Sequence, residues 1–266
     1  EGLLGIVTEV TVRLRPAPQV VEAILIAFPS VERAGDCVAG IIAAGIVPAA
    51  MEIMDRSAID AVEAYCAPGY PKDSGAILVA EVDGIAIEVD ALAREVEAIA
   101  RRNGAVSLTR SSSPTDRARI WAGRKAAFSA TGRIAPDMLC MDGTIPRREL
   151  ANVLGRITAM SKKYGLPVAN VFHAGDGNLH PLIMFDSMKE GDLQKAEAFG
   201  ADILKLCVDV GGVLTGEHGV GVEKRDLMPL MFTDYDLQVQ EQVKCAFDPK
   251  GLLNPGKVFP SLSACV

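Results

Sequence analysis

The sequence predicts an α+β fold, built from ferredoxin-like units with a large antiparallel sheet covered by helices, plus a small C-terminal helical subdomain. Two observations predict this class. Apolar runs typical of strands alternate along the chain with segments in which apolar residues recur at helical spacing. The 266 residues, 49% of them hydrophobic, also suffice for a large core. We expect the helices to lie on one face of the sheet and to leave the other face free.

The first half of the chain is predicted to form successive strand and helix pairs. From Val89 to Ile99, for example, apolar residues recur every three or four positions, opposite a face of Arg and Glu, as in a helix that packs on a sheet. The predicted pairs are strand 20–28 with helix 31–44, strand 47–54 with helix 57–65, and strand 76–82 with helix 87–103, followed by a strand at 105–109.

The second half continues the pattern with longer gaps. The cluster Ser111-Ser112-Ser113-Pro114 is a helix-start signal, and the helix after it carries the only tryptophan, Trp121. Pro181 suits the start of a strand better than its centre. Further strands are predicted at 168–172 and 182–185, and further helices at 194–210, 225–231 and 235–247.

Composition excludes several classes of function. The net charge is −7, and Lys and Arg are dispersed, which argues against a nucleic-acid partner. The longest uncharged stretch, 37–51, is too short to span a membrane comfortably and contains two glycines and a proline. The cysteines show no Cys-x-x-Cys spacing, which is typical of iron–sulfur and structural zinc sites. No predicted strand is followed by a glycine-rich phosphate loop. We expect a cytoplasmic protein.

All three histidines lie in two glycine-rich motifs that also contain acidic residues. His173 and His180 begin and end His-Ala-Gly-Asp-Gly-Asn-Leu-His, and His218 lies in Gly-Glu-His-Gly. Histidine is the commonest metal ligand and the side chain that titrates near neutral pH. This exclusive placement therefore points to chemistry.

The turn between the first two histidines predicts that they meet. Asp176-Gly177 is a dipeptide typical of a two-residue type I′ hairpin, whose register pairs His173 directly with His180 on one face. Side chains opposed in this way have Cβ atoms roughly 5 Å apart. Both imidazoles are therefore expected to reach one ion.

Glu217, in the glycine-rich stretch 211–221, supplies a carboxylate to complete a metal site with His173 and His180. Two imidazoles and one carboxylate are common in catalytic divalent-metal sites, and zinc, iron and manganese all accept this set. His218, beside the carboxylate, is then available as a base. The alternative is that the histidines are hydrogen-bonded structural side chains and that the glycines only make turns.

These motifs resemble the C-terminal half of FAD-linked 2-hydroxyacid dehydrogenases of the vanillyl-alcohol oxidase type, in particular glycolate oxidase flavin subunits and D-lactate dehydrogenases. Two further segments agree. Residues 1–9, Glu-Gly-Leu-Leu-Gly-Ile-Val-Thr-Glu, look like the last strands of that family's FAD-binding domain. Phe247-Asp248-Pro249 and Leu253-Asn254-Pro255-Gly256-Lys257 look like its closing segment.

The resemblance implies a domain organisation. Residues 1–18 would end an FAD-binding domain, 19–212 would form the α+β substrate (cap) domain, and 213–266 would contain the metal and catalytic loop and the helical subdomain. Gly5, Ile6 and Asn254 would contact FAD, although by itself Asn254-Pro255-Gly256 is only a turn. Because most of the flavin site would precede Glu1, the isolated fragment is expected not to turn over.

The resemblance also implies a reaction, the oxidation of a small 2-hydroxy acid to the 2-oxo acid by hydride transfer to FAD. His218 would be the catalytic base, and the ion held by His173, His180 and Glu217 would bind the substrate hydroxyl and a carboxylate oxygen. Arg124, in a Trp-x-x-Arg element, would bind the substrate carboxylate through its planar guanidinium. Without the resemblance, Arg124 would be read as a solvated helix cation.

Departures from the family pattern narrow the substrate. Relatives that act on 2-hydroxyglutarate hold its distal carboxylate with polar residues at the positions of Phe128, Cys140 and Leu182. These three side chains cannot compensate a buried second carboxylate, so a monocarboxylate such as glycolate or D-lactate is preferred.

The resemblance further implies partners, namely a second flavin-like subunit and an iron–sulfur subunit, through which the protein would be peripheral to the membrane. Two other classes stay open. One is a flavin-independent metal-binding hydrolase, and the other is a noncatalytic cap module whose motifs are idle.

Overall fold

A computed structural model describes residues 1–260, which form nine strands and seven α-helices. Short 3₁₀ helices lie at Arg147–Glu149 and Arg225–Leu230. The strands are β1 Val20–Phe28, β2 Ala50–Asp55, β3 Ala76–Gly84, β4 Ser107–Arg110, β5 Asp137–Cys140, β6 Gly143–Thr144, β7 Val168–His173, β8 Asn178–Leu179 and β9 Pro181–Phe185. The helices are α1 Val31–Ala43, α2 Arg56–Tyr65, α3 Ala86–Arg102, α4 Pro114–Thr131, α5 Leu150–Tyr164, α6 Asp192–Asp209 and α7 Asp234–Phe247.

The first half of the chain forms a ferredoxin-like unit, as predicted. Its strands lie in the order β4-β1-β3-β2, and every neighbouring pair is antiparallel. The second half joins at β2, which pairs antiparallel with β7. From β7 the sheet continues through β8 to β6 and, on another path, through β9 to β5.

Helices cover both faces of the sheet, so the expectation of one free face is wrong. Alternate residues of β1 point to opposite sides: Ile24 and Ile26 belong to a core with α1, α3, α5 and α6, whereas Leu25 packs with α2 and α4. The reason is that β1, β2 and β3 are nearly continuously apolar, and each face must be buried. We call the side of α2 and α4 the second face.

Helix α5 falls in a stretch for which the pattern above predicts no element. Its buried residues Leu150, Val153, Leu154 and Ile157 follow helical spacing, and it packs between α1 and α6. Gly165 ends it in the left-handed conformation, at φ 68°. The signal for this helix was therefore present in the sequence.

The two ends of the chain differ in their packing. The C-terminal helical part joins the main core through buried residues such as Leu214, Met228 and Leu237, and the predicted range 213–266 extends beyond the described residues at 261–266. Residues 1–18 form no strand here, because no neighbouring strand lies beside them among the described residues. Within residues 1–260, no helix has the length and apolar character needed to cross a bilayer.

Candidate functional site

The two motif histidines lie on one face of the β7–β8 hairpin, but the predicted register is wrong. His173 is paired with Asn178, not with His180, across a turn formed by residues 174–177. Gly177 has a positive φ of 75°, whereas Asp176 does not, so the turn is not type I′. The neighbouring chain explains the longer turn, since the Gly175 N–H donates to the Met51 carbonyl at 3.2 Å and Gly177 accepts from Ile145 at 2.9 Å.

The shift in register leaves both histidine side chains on the same face of the hairpin. It amounts to two residues, and because side chains alternate between faces with a period of two, both imidazoles stay on the same side. They are diagonal neighbours, with ring centroids 5.0 Å apart. This side is the second face of the sheet.

The two glycine-rich motifs converge around Glu217. Its Oε1 lies 3.2 Å from His180 Nε2 and 3.6 Å from His173 Nε2. The ring of His218 stacks on that of His180 at 5.0 Å, and its Nε2 is 3.9 Å from the same carboxylate oxygen. The structure thus brings together all four residues that the sequence singled out.

The arrangement fits a divalent cation. His180 is 2% exposed, and neither of its ring nitrogens has a hydrogen-bond partner among the described residues, which is costly unless a ligand satisfies them. Ligands about 2.1 Å from a tetrahedral ion lie about 3.4 Å from one another. The separations of 3.2 and 3.6 Å match this spacing. The residues that would hold an ion are therefore His173, His180 and Glu217.

Glu52, on β2, is a member of the site that the sequence analysis missed. Its side chain is 9% exposed, and its two oxygens accept hydrogen bonds from His173 Nδ1 at 2.8 Å and from Arg124 Nε at 2.9 Å. The hydrogen bond from Nδ1 orients the His173 ring so that Nε2 faces Glu217, as in carboxylate–histidine–metal sites. It also raises the pKa of His173 above its ordinary value.

Arg124 lies at the same site and is not a solvated helix cation. Helix α4 begins where the sequence predicts, with Ser113 as N-cap and Pro114 in the first turn. Seven residues after Arg117, on the same face of the helix, Arg124 packs against the sheet with 11% of its side chain exposed. Among the described residues its side chain hydrogen-bonds through Nε alone, so its two terminal nitrogens stay available to a ligand.

Asp142 is a second residue that the sequence analysis missed. It follows β5, is fully buried, and accepts hydrogen bonds from Thr215 and from the backbone of the loop that carries Glu217 and His218. Burial alone would raise the pKa of Asp142, but these hydrogen bonds, the His180 ring at 3.6 Å and the Lys224 ammonium hold it well below its usual range. Asp142, His180 and His218 form an alternative ligand set, although both Asp142 oxygens already accept hydrogen bonds.

The site opens into a cleft and borders an apolar wall. The cleft has a volume of about 430 Å³ and is lined by Thr144, His173, Asp176, Asn178, Gly216 and Glu217. On the other side, the ring of Phe128 contacts that of His180 edge-on at 6.0 Å. Cys140 and Leu182 are cross-strand partners in the same cluster, and burial raises the pKa of Cys140 to about 12. The wall therefore carries no charge at neutral pH.

The N-terminal segment passes beside the histidine loop. The Glu1 carboxylate accepts hydrogen bonds from the Val220 and Gly221 N–H groups, each at 2.7 Å, just after His218. Asn254 Nδ2 donates to the carbonyls of Glu1 and Gly2. Residues 5 and 6 are exposed, Ile6 to 81%. Gly5 and Ile6, which the resemblance suggests as FAD contacts, thus lie a few residues after Glu1, which binds the histidine loop. Asn254, the third suggested contact, hydrogen-bonds to Glu1 and Gly2.

The fold is an antiparallel sheet with helices on both faces. Its site is a histidine–carboxylate cluster beside an arginine, as the resemblance to FAD-linked 2-hydroxyacid dehydrogenases implies. The chain belongs to the family FAD linked oxidases, C-terminal domain, whose model matches residues 17–258. This confirms the resemblance given by the motifs.

Individual relatives place the chain more closely within that family. It is 50% identical over 265 residues to the glycolate oxidase subunit GlcD of Escherichia coli (strain K12), covering 100% of this chain and 53% of that protein. It is 35% identical to GlcD of Bacillus subtilis (strain 168), covering 97% and 55%. The D-lactate dehydrogenase of Archaeoglobus fulgidus is 30% identical, with coverage of 98% and 57%. The chain thus spans about half the length of these relatives.

Solved structures agree on the fold. The structure of p-cresol methylhydroxylase with substrate bound matches with a TM-score of 0.69 at 15% identity, over 91% of this chain and 53% of that chain. The 4-ethylphenol oxidase from Gulosibacter chungangensis gives the same TM-score and identity, over 93% and 55%. At such identities the similarity shows the fold alone.

Proposed function

We propose that this chain is the substrate-binding half of an FAD-dependent oxidoreductase that oxidises a small 2-hydroxy monocarboxylic acid, glycolate or D-lactate, to the 2-oxo acid. The observation that carries the proposal is the convergence of His173, His180, Glu217 and His218 on one face, next to Arg124. The names of the relatives, glycolate oxidase subunit and D-lactate dehydrogenase, support the same substrate class.

The substrate carboxylate binds to Arg124. Its two terminal nitrogens donate parallel hydrogen bonds to the two carboxylate oxygens, a geometry that a lysine cannot reproduce. Glu52 accepts a hydrogen bond from Nε of Arg124 and so orients the two terminal nitrogens of the guanidinium. The α-hydroxyl of the same substrate then lies toward the histidines.

Proton removal from the hydroxyl is assigned to His218. Its side chain is 42% exposed and stacks on the ring of His180, and an imidazole suits general-base work near neutral pH. When bound, FAD would supply the hydride acceptor, and a divalent cation, which His173, His180 and Glu217 would hold, would make the substrate hydroxyl more acidic. The proton stays on His218, and the products are the 2-oxo acid and reduced flavin.

Selectivity for a small monocarboxylate is supported by the apolar wall. Phe128, Cys140 and Leu182 lie together beside His180, where the side chain of the substrate would be. A second carboxylate placed there would be buried without a partner, which is unfavourable. Glycolate and D-lactate, with a hydrogen or a methyl group, fit this surface.

The flavin itself would be bound mainly by a preceding domain. Support comes from the exposed apolar residues Ile6, Val10, Val12 and Leu14, each at least 67% exposed, whose alternation suits a strand packed on another domain. Gly5, Ile6 and Asn254 would contact the cofactor. The proposed cation is zinc, iron or manganese.

The partners and the location belong to the same proposal. The relatives named GlcD are subunits of glycolate oxidase, which supports an assembly with further subunits. A second flavin-like subunit and an iron–sulfur subunit are proposed on the resemblance of the motifs. A cytoplasmic location, with membrane contact through such partners, is proposed on the same resemblance.

Replacing a proposed ligand tests the metal part of this function. In the full-length flavoprotein, His173→Ala is expected to lose the bound divalent metal and to lower kcat/KM for D-lactate and glycolate about 100-fold or more. Metal content by elemental analysis and steady-state rates are the measurements. Metal retained in the variant would mean that His173 is not a ligand, as in the alternative set of Asp142, His180 and His218, whereas no metal in either protein would mean that the histidines are structural.

The same preparation separates the alternative functions. Ester or amide hydrolysis by a flavin-free protein would favour a metal-dependent hydrolase. A protein that binds neither a divalent metal nor a 2-hydroxy acid would favour a noncatalytic cap module.

A further inference from the structure

We propose that Asp142 is a positioning residue, whose buried carboxylate holds the loop 215–218 so that Glu217 and His218 face the two motif histidines. The inference rests on the proposed function of those residues and adds a determinant that neither glycine-rich motif contains. Asp142 lies about 75 residues before this loop in the sequence, between β5 and β6.

The carboxylate of Asp142 satisfies consecutive backbone donors of the loop. The N–H groups of Gly216, Glu217 and His218 donate to its oxygens at 2.9, 3.1 and 3.0 Å. Thr215 Oγ1 donates to the same carboxylate at 2.7 Å and accepts from the Gly219 N–H at 2.9 Å. Successive N–H groups around one anion form a nest, whose conformation depends on that anion.

Apart from their contacts with the two motif histidines, the two proposed functional side chains have little else to hold them in place. Glu217 and His218 are 55% and 42% exposed, and no side-chain hydrogen bond to another element fixes either of them in the described part of the chain. Gly216 is closely packed beneath them, because a Cβ there would lie 2.3 Å from Asn178 Oδ1. The direction of both side chains therefore follows from the backbone that Asp142 anchors.

The side chain of Lys224 binds Asp142 and is itself buried. It is 1% exposed, and its Nζ donates to the backbone carbonyl of Asp142 at 2.7 Å and to its carboxylate at 3.1 Å. The ammonium offsets the cost of burying the Asp142 charge. The alternative is a purely structural role, in which Asp142 only neutralises the charge of Lys224.

A double substitution separates the two roles. In the full-length flavoprotein, Asp142→Asn leaves Lys224 buried without a charged partner, and we expect a lower melting temperature together with loss of activity. Adding Lys224→Met removes the buried charge while it keeps the apolar stem. Both roles predict that the melting temperature recovers in the double variant, so activity and metal content decide between them.

The matched control is the other buried Lys–Asp pair, Lys244 with Asp248. Asp248 also accepts two loop N–H groups, from Leu252 and Leu253, but it lies in the C-terminal turn and faces none of the three histidines. The variant Lys244→Met with Asp248→Asn reports the generic effect of losing such a pair. Rates and metal content are expressed per bound flavin in all variants.

We expect the Asp142→Asn/Lys224→Met variant to show kcat for D-lactate and divalent-metal affinity both lower by about 10- to 100-fold. At a saturating concentration of the divalent metal, KM should change less than about threefold, since Arg124 lies on α4, outside the loop. The control turn leads to the proposed FAD contact Asn254 and can therefore lose flavin, but per bound flavin its kcat and its divalent-metal affinity should stay within about threefold of wild type. Recovery of wild-type kcat and metal content in the double variant would overturn the proposal, whereas a wild type without 2-hydroxy acid oxidation would instead refute the proposed function.

Discussion

Two carboxylates that belong to neither glycine-rich motif contact the side chains and the loop that form the proposed site. Glu52 contacts His173 and Arg124 from the strand side, and Asp142 holds the backbone of the histidine loop. Each is buried and paired with cations or N–H donors, as a buried charge must be. The site is thus a network in which proposed metal ligands and proposed substrate ligands share partners.

The arginine in this network gives a direct prediction at the residue scale. Arg124→Lys keeps the charge but removes the fork, so kcat/KM for D-lactate and glycolate should fall about 10- to 100-fold, because a hydrogen bond to a charged group contributes about 1.5–3 kcal/mol. Steady-state kinetics of the full-length flavoprotein provide the measurement.

Arg117→Lys is the control for that substitution. Arg117 lies two turns earlier on the same face of α4 and forms a similar pair with Glu81, at 2.7 Å, without a histidine beside it. Its substitution should leave kcat/KM within about threefold. If both lysine variants lose the same factor, Arg124 acts through helix packing and not through the substrate.

The sequence shows the histidines of the site but not its carboxylates, for physical reasons. His173 and His180 are seven residues apart in one hairpin, and the alternation of side chains keeps them on one face even though the register was off by two. Glu52 is 121 residues away from His173, and only tertiary pairing of β2 with β7 brings them together. A usable signal did exist, because Glu52 is a lone charge within the apolar strand Ala-Met-Glu-Ile-Met.

At the scale of elements, the strands and helices of the first half followed from periodicity. Helix α4 was harder to orient, since three of its partly buried residues, Arg117, Trp121 and Arg124, hydrogen-bond to the sheet carboxylates Glu81 and Glu52. A helix that packs through ion pairs lacks a clear apolar stripe. Its inward face could therefore be assigned only from the resemblance.

The turn after α7 contains a carboxylate whose pKa predicts a pH dependence. The hydrogen bond from Lys244, with those from the Leu253 and Leu252 N–H groups, lowers the pKa of Asp248 from 3.8 to about 2. Because the folded-state value is the lower one, the stabilisation is complete above about pH 4 and is lost as the pH falls toward 2.

Comparison with Asp248→Asn isolates this contribution. The melting temperature of the wild type should exceed that of the variant near pH 6, and the difference should shrink as the pH falls from about 4 toward 2. Thermal unfolding of both full-length proteins across this range is the measurement. Other acidic residues are common to both proteins, so a constant difference would show that the Lys244–Asp248 pair does not stabilise the fold through its charge.

At the scale of the whole molecule, the site lies where the two halves of the sheet meet. Glu52 lies on β2, at the edge of the ferredoxin-like unit. His173 lies on β7, the strand of the second half that pairs with β2. Arg124 reaches the junction from α4, and Asp142 and Glu217 reach it from the second half. Neither half of the sheet contains all the residues of the proposed site.

Anaerobic flavin reduction tests the proposal that a 2-hydroxy acid is oxidised at this junction with His218 as the base. The full-length flavoprotein is mixed with D-lactate or glycolate, and the loss of flavin absorbance is followed for wild type and His218→Gln. From this proposal we expect rapid bleaching in the wild type and bleaching slower by about 10²- to 10⁴-fold in the variant. Wild-type flavin that no small 2-hydroxy acid reduces, or equal rates in the two proteins, would contradict it.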